Sequence, residues 1–382
     1  MSKVAVRLLL SLAVGAGLAY FAFRGLNWSA LGEAFADADY WWLVPYFGTL
    51  AGVQFFRAWR WRFLLEPIAP KMPSTWRILT VSWVGFMAII ALPLRLGEVV
   101  RPYLIADPKD GDRRDAASRD ADSKDGRSGA RGGAGRLRMS AAMGTIAVER
   151  VVDGLIVSLF LFGTFVVLER QGRGTDWMMA TGWSALALFG GATVFLVLAM
   201  WRPEAAVRWA LRLSLLELLA GTGRRRLVWF RDRMSYVLEG IIKGFRALGR
   251  PGLLVRYVAA SIVYWGLNGL GFYVLARAFH LHLPIAGAFA VCGLVVIGIT
   301  LPAGPGLVGN FHEFGRLGLS LFLPAVVVTG PGMAYVVLVH GVQLLWYVGI
   351  GVLVVATGQV SFRKVVEAAE ADEETVMADQ EA

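Results

Sequence analysis

Long apolar runs, separated by short charged segments, repeat along most of this chain. A helix needs roughly 20 apolar residues to cross a bilayer. By that measure the pattern predicts spans over about 7–23, 43–57, 78–92, 141–168, 179–201, 252–279, 284–301 and 334–357. A further apolar piece covers 317–329. Tyr40-Trp41-Trp42, just before the second run, suits an aromatic belt at the membrane interface. Lys3 and Arg7 open the first run, a pattern that secretory signals share. The apolar character of all that follows favours an uncleaved first span.

Two runs are interrupted. The third flows without a polar spacer into Pro93-Leu94-Arg95-Leu96-Gly97-Glu98-Val99-Val100-Arg101-Pro102. Pro93 stops a helix because it lacks an N–H and its ring clashes with the preceding turn. Arg95, Glu98 and Arg101 then set three charges where a span should end, and charge at membrane depth is costly unless paired. Glu98 and Arg101 are three apart and are expected to share a helix face as a pair. The seventh run breaks at Pro302-Ala303-Gly304-Pro305-Gly306.

Composition fixes the class. Of 382 residues 57% are hydrophobic and 17% charged, and the mean hydropathy is +0.58, far too apolar for a soluble domain. The chain reads as all-α, a polytopic helical membrane protein of seven or eight spans. The net charge of +10 fits positive-inside loops and anionic headgroups, and no nucleic-acid signature accompanies it. Cys292 is the single cysteine, so an intrachain disulfide is excluded.

Charge also sets the organisation. Residues 1–105 form an N-terminal membrane half, and 106–138 form a disordered loop of mixed charge with almost no large apolar residue. Spans four and five occupy 139–201, and amphipathic cytoplasmic helices 202–250. The second membrane half covers 251–358, followed by an acidic tail over 359–382. Arg57, Arg60, Arg62, Lys71 and Arg77 read as a basic cytoplasmic loop after span two. Four basic segments can all face the cytoplasm, with both termini, only if 78–105 and 284–330 each enter and leave on one face. Two broken re-entrant helices entering from opposite faces are what an inverted-repeat transporter would place around its site.

Other polar residues gather near the breaks. Glu149 and Asp153 are four apart and face one way, and Arg150 between them suits a carboxylate on a neighbouring helix. Asn310, His312 and Glu313 follow the second break, where a half-helix would offer free N–H groups to an anion. Asn268, His340 and Gln343 read as interhelical hydrogen-bonding groups.

The Pro93–Arg101 motif, the Glu149–Asp153 cluster and the Pro302–Gly306 break together resemble the transmembrane region of lysylphosphatidylglycerol synthases, the flippase-like domain family. The resemblance runs from the first span to the last. The second break departs from the family's Pro-Gly-Gly-x-Gly-x-x-Glu, being longer from Pro302 to Glu313, and 106–138 looks like an insertion. The resemblance implies movement of a lipid headgroup between leaflets of a bacterial cytoplasmic membrane. By position it implies a lipid path near Arg95, Glu98, Arg101, Glu149, Arg150, Asp153 and Glu313. The residues expected to bind substrate are these with Asn310 and His312.

Neither an aminoacyl-transferase nor a glycosyltransferase domain follows the last span, and no Walker A motif is present. The leading expectation is therefore a lipid transporter with no cofactor, no catalytic residue and no metal. Its partner is an anionic membrane lipid, a phospholipid or a polyprenyl phosphate, held through Arg95 or Arg101. The alternatives are a membrane-embedded transferase using Glu98 or Glu149 as base, or a non-catalytic partner of a separate lipid-modifying enzyme. A homo-oligomer is compatible with each.

Overall fold

The computed structural model describes residues 3–91, 97–106, 137, 139–172, 174, 176–201, 251–301 and 304–370. Arg95, nearly all of the 106–138 loop, residues 202–250 and the end of the acidic tail lie outside the described residues.

The described chain is helical. The elements that frame the site are α1 (Lys3–Phe23), α2 (Trp28–Ala36), α3 (Leu43–Trp59), α4 (Trp61–Leu65), α5 (Thr75–Ala91), α6 (Gly97–Ala106) and α7 (Met139–Arg170). They continue with α8 (Asp176–Trp201), α9 (Pro251–Ala276), α10 (Ile285–Thr300), α11 (Asn310–Ser320), α12 (Met333–Ala356) and α13 (Phe362–Glu370). Among the described residues four helical stretches are long and apolar enough to cross a membrane: Ala141–Arg170, Met178–Phe195, Gly252–Phe279 and Ala325–Ala356. The last is continued from Ala325 through a π-helical stretch, Val328–Gly332, that contains Pro331. Shorter apolar helices at Leu12–Phe23, Thr75–Ala91 and Ile285–Thr300 complete the membrane character. The architecture is that of an all-α polytopic membrane protein, as the hydrophobic pattern predicts.

Each break turns the chain back on itself. Helix α5 stops at Ala91 and α6 resumes at Gly97. Arg77 of α5 donates to the carbonyl of Leu104 at 2.9 Å, while Gly85 further along α5 lies under Arg101. Rising numbers in one helix meet falling numbers in the other, so α5 and α6 form an antiparallel hairpin. The second pair behaves alike. Asn310 of α11 donates to the carbonyl of Gly298 in α10 at 2.9 Å, Gly318 faces Val291, and Gly287 faces Phe322. With ten and eleven residues, α6 and α11 are about 15–17 Å long, about half a bilayer core of about 30 Å.

The two halves are packed as counterparts. Helix α3 crosses α9 antiparallel, with Tyr46 and Thr49 against Gly271 and Gly52 against Leu267. Hairpin helix α5 packs on α12 through Met87 and Gly351, and hairpin helix α10 packs on α7 through Gly293 and Leu161. The short arms follow, α6 on α7 and α11 on α12. Exchanging α3, α5, α6 and α7 with α9, α10, α11 and α12 maps these contacts onto one another. That exchange, with α3 and α9 antiparallel, is the contact pattern that an inverted repeat would give.

Glycines let these helices touch. A Cβ on Gly85 would sit 2.1 Å from Cγ of Arg101, whereas a Cβ on Gly163 of α7 meets nothing within 4 Å. We predict that Gly85→Ala lowers stability in detergent by about 1–3 kcal/mol through overpacking, and that Gly163→Ala does not. Equal melting of the two variants would contradict the hairpin packing.

Candidate functional site

Helix α3 ends in a run of aromatic residues that carries Arg57 and Arg60 at helical spacing. Arg60, at the junction of α3 and α4, is fully buried. A guanidinium removed from water must be paired and hydrogen-bonded. It meets Asp153 of α7 as a fork, with Nη1 to Oδ1 at 2.6 Å and Nη2 to Oδ2 at 2.7 Å. Nη2 also donates to Oε1 of Glu149 at 3.0 Å, and Nη1 to Oγ of Ser261 on α9 at 2.9 Å. Trp265 of α9 donates its indole N–H to Oδ1 of Asp153 at 2.9 Å. The ring of Tyr264 lies 4.5 Å from the guanidinium carbon.

Arg101 completes the cluster. Its Nη1 donates to Oε2 of Glu149 at 3.1 Å, and its planar head lies against Trp61 at 4.4 Å and Phe86 at 4.9 Å. Trp61 is itself fixed by its indole N–H on Oγ1 of Thr145, 2.8 Å away. Two guanidiniums and two carboxylates therefore share one desolvated nest, with no net charge. A looser pair lies beside it, Arg150 Nε 3.6 Å from Glu98 Oε1, both about a third exposed.

A cavity of about 850 Å³ opens next to this nest. Its wall includes Ile89, Ile90 and Glu98 from around the first break, and Ile299, Thr300, Leu307 and Phe311 from around the second. Arg57, Arg150 and Asp153 add charge, Asn268, His340 and Gln343 add hydrogen-bonding groups, and Leu188 and Phe189 of α8 belong to an apolar side. The cavity thus lies between the helix ends that flank the first break and those that flank the second.

Several expectations change. Glu98 and Arg101 are not each other's partners: Glu98 faces Arg150 and Arg101 faces Glu149, both on α7. Local helix spacing allowed the first pairing, but the deeper burial of Arg101 brings it to the buried carboxylate. Glu149 and Asp153 do face one way, towards Arg60. Arg101 and Glu149 do not line the cavity, while Glu98, Arg150 and Asp153 do. Beyond the second break, buried Asn310 is spent on the carbonyl of Gly298, and Glu313 holds Arg316 through two bonds of 2.8 and 2.6 Å. His312 is buried and lies 3.4 Å from His340. None of these three faces the cavity wall. Gln343 bridges helices by donating to the hydroxyl of Tyr46 at 3.2 Å, but Asn268 bonds the carbonyl of Tyr264 in its own helix.

Arg57 and Arg60 are the residues that sequence reasoning missed. They read as the start of a basic loop, yet Arg60 anchors the nest and Arg57 lines the cavity. The available signal was their three-residue spacing from Gln54 inside an aromatic run. Arg57 packs over Phe86 at 3.9 Å, and among the described residues no carboxylate forms an ion pair with it.

The family model of the lysylphosphatidylglycerol synthase TM region matches residues 8–119 and 130–351. No curated protein and no solved structure matches the chain.

Removing one member of a buried ion pair strands its partner, at a cost of roughly 3–5 kcal/mol. Arg60→Ala and Glu149→Ala are each expected to lose about that much stability in detergent. In the double variant the two losses should fall well short of adding. Wild-type melting of either single variant would place these charges in water.

Proposed function

The chain belongs to the lysylphosphatidylglycerol synthase TM family, and from that premise we propose that it binds an anionic lipid headgroup between its two helical hairpins and moves it between the leaflets of a bacterial cytoplasmic membrane. The observation that carries the proposal is Arg57. The buried nest balances its own charges, and Arg150 has Glu98. Among the described residues Arg57 remains as a cation on the cavity wall with an aromatic ring on one face, the Tyr347 hydroxyl as hydrogen-bond partner and no carboxylate in ion-pair contact. A phosphate there supplies the missing anion, and a guanidinium fork matches it well. Arg101, earlier expected in this role, is already committed to Glu149 and enclosed by Trp61 and Phe86.

The rest of the cavity suits an amphiphile. Charges cluster at one part of the wall, while Val157, Leu188, Phe189, Val295 and Val296 make another part apolar. A volume near 850 Å³ lies in the usual range of ligand sites, roughly 300–1,000 Å³. A headgroup needs only part of it, and the apolar wall takes the first methylenes of the chains. The family reading and the basic segments favour the cytoplasmic membrane with both termini inside.

Two outcomes follow. Losing a charge-assisted hydrogen bond costs about 1.5–3 kcal/mol, so Arg57→Gln should weaken binding of anionic phospholipid about 10- to 100-fold in nanodisc competition. Leaflet exchange in liposomes should slow with it, while exposed Lys71→Gln leaves both unchanged. Unaltered preference for anionic over neutral lipid in Arg57→Gln would refute the headgroup site. Orientation is read by labelling single cysteines in a Cys292→Ser background. Cysteines at exposed Lys71 and Arg363 should react only from the cytoplasm, and one at exposed His282 only from outside.

A further inference from the structure

The headgroup reading rests on one guanidinium, and the cavity wall places a second donor beside it. Most polar groups on that wall are committed within the protein. Ser158 and Thr300 donate to carbonyls of their own helices, Gly154 at 2.7 Å and Ile297 at 2.6 Å. Asn268 donates to the carbonyl of Tyr264, and Gln343 to the hydroxyl of Tyr46. His340 meets the carbonyl of Gly306, and Asp153 belongs to the nest. Tyr347 of α12 is placed differently. It lines the cavity, and its hydroxyl is the hydrogen-bond partner of Arg57.

The direction of that bond follows from the groups. A guanidinium carries only donors, so Arg57 gives an N–H and the phenol oxygen accepts it. The phenol's own proton takes no part in this bond. Among the described residues Tyr347 donates no hydrogen bond to the protein. An N–H bound to the oxygen also polarises the O–H and makes it a stronger donor. Arg57 and Tyr347 therefore offer two kinds of donor from one place, the remaining guanidinium N–H groups and one hydroxyl proton. Their complement is an anion that presents more than one oxygen. The two unesterified oxygens of a phosphate diester, sharing one negative charge, have that form.

Packing fixes the pair. Phe86 of α5 lies 3.9 Å from the guanidinium carbon of Arg57. The same ring meets Tyr347 edge-on, with centroids 6.5 Å apart and planes at 82°. Tyr347 is 8% exposed and shares one buried cluster with Phe86 and Ile89. Three helices, α3, α5 and α12, thus hold two donors around one aromatic ring before any ligand arrives. An arginine left to itself has many rotamers, and holding it beforehand spares that cost on binding.

We propose that Tyr347 is a second binding residue of the headgroup site, donating its hydroxyl proton to a phosphate oxygen while Arg57 forks onto the same group. The proposal rests on the headgroup reading and adds what is recognised. A cation alone reads charge, whereas the hydroxyl reads a phosphate oxygen. The site should therefore separate a phospholipid from a phosphate-free lipid with the same chains.

The test uses the full chain in detergent micelles, with a phosphatidylglycerol that is fluorescent on one acyl chain as probe. Displacement is measured with unlabelled phosphatidylglycerol and with diacylglycerol of the same chains, and the ratio of the two affinities is taken within each variant. Lost folding or loosened packing weakens both competitors alike and leaves the ratio where it was. Tyr347→Phe keeps the ring against Phe86 and removes only the hydroxyl. Its ratio should fall about tenfold, as loss of one hydrogen bond to a charged group gives. Arg57→Gln should lower the ratio too, and the double variant should fall by less than the product of the two, because both residues hold one phosphate and each other. Losses that multiply in full would overturn the shared phosphate. An unchanged ratio in Tyr347→Phe beside a lowered one in Arg57→Gln overturns this proposal and spares the headgroup reading. Unchanged ratios in both overturn the headgroup reading, and this proposal with it. Full displacement of the probe by inorganic phosphate would assign the pair to a soluble anion and overturn a lipid as its ligand.

Discussion

Burying Arg60 is the constraint on which the rest of the structure depends. A guanidinium excluded from water is tolerable only with its charge matched and its N–H groups received. Meeting that need recruits α7 through Glu149 and Asp153, and α9 through Ser261 and Trp265. Glu149 in turn draws Arg101 and with it the first hairpin. Four segments distant in sequence are thereby fixed around one neutral nest. Such a nest adds little net stability over an apolar core, but it tolerates few alternative packings, because any slip leaves a charge unmatched. Its neutrality also defines the cavity beside it. Among the described residues Arg57, on the cavity wall, has no carboxylate in ion-pair contact, which is why the proposed headgroup site is placed there.

The hairpins answer a second constraint. A chain that turns back within a membrane exposes backbone groups, and these must be met by protein. At the second turn Asn310 reaches back to Gly298, and His340 takes the carbonyl of Gly306. Glycine contacts then let the arms close tightly, Gly318 on Val291 and Gly298 on Phe314. Equivalent packing in the two halves puts residues flanking both breaks, Ile90 and Glu98 at the first and Thr300 and Leu307 at the second, on the wall of one cavity. Movement at either turn would change access to the same space.

Much of this was legible in the sequence. Apolar run lengths located the helices within a few residues, because membrane helices are set by length and composition. Proline and glycine marked both turns, and the four-residue spacing of Glu149 and Asp153 gave their shared face. What was lost depended on long-range partners. Arg57 and Arg60 follow an apolar run, where positive charge ordinarily marks a cytoplasmic loop. Only the placement of α7 shows that Arg60 is buried. Helical spacing pairs Arg101 with Glu98, whereas its partner in the structure, Glu149, is 48 residues away. The sequence places Asn310 at the start of a half-helix open to an anion, whereas in the structure its side chain turns inward to the carbonyl of Gly298.

The proposed headgroup site rests on Arg57, the cavity-wall arginine that among the described residues has no carboxylate in ion-pair contact. It is tested most directly by imaging the protein in nanodiscs of anionic phospholipid and, separately, of zwitterionic phospholipid. The account predicts phosphate density beside the Arg57 guanidinium in the anionic nanodiscs, with chain density along Leu188 and Phe189 of α8. A cavity empty of lipid density in both, with headgroups seen only at the outer rim, would contradict it.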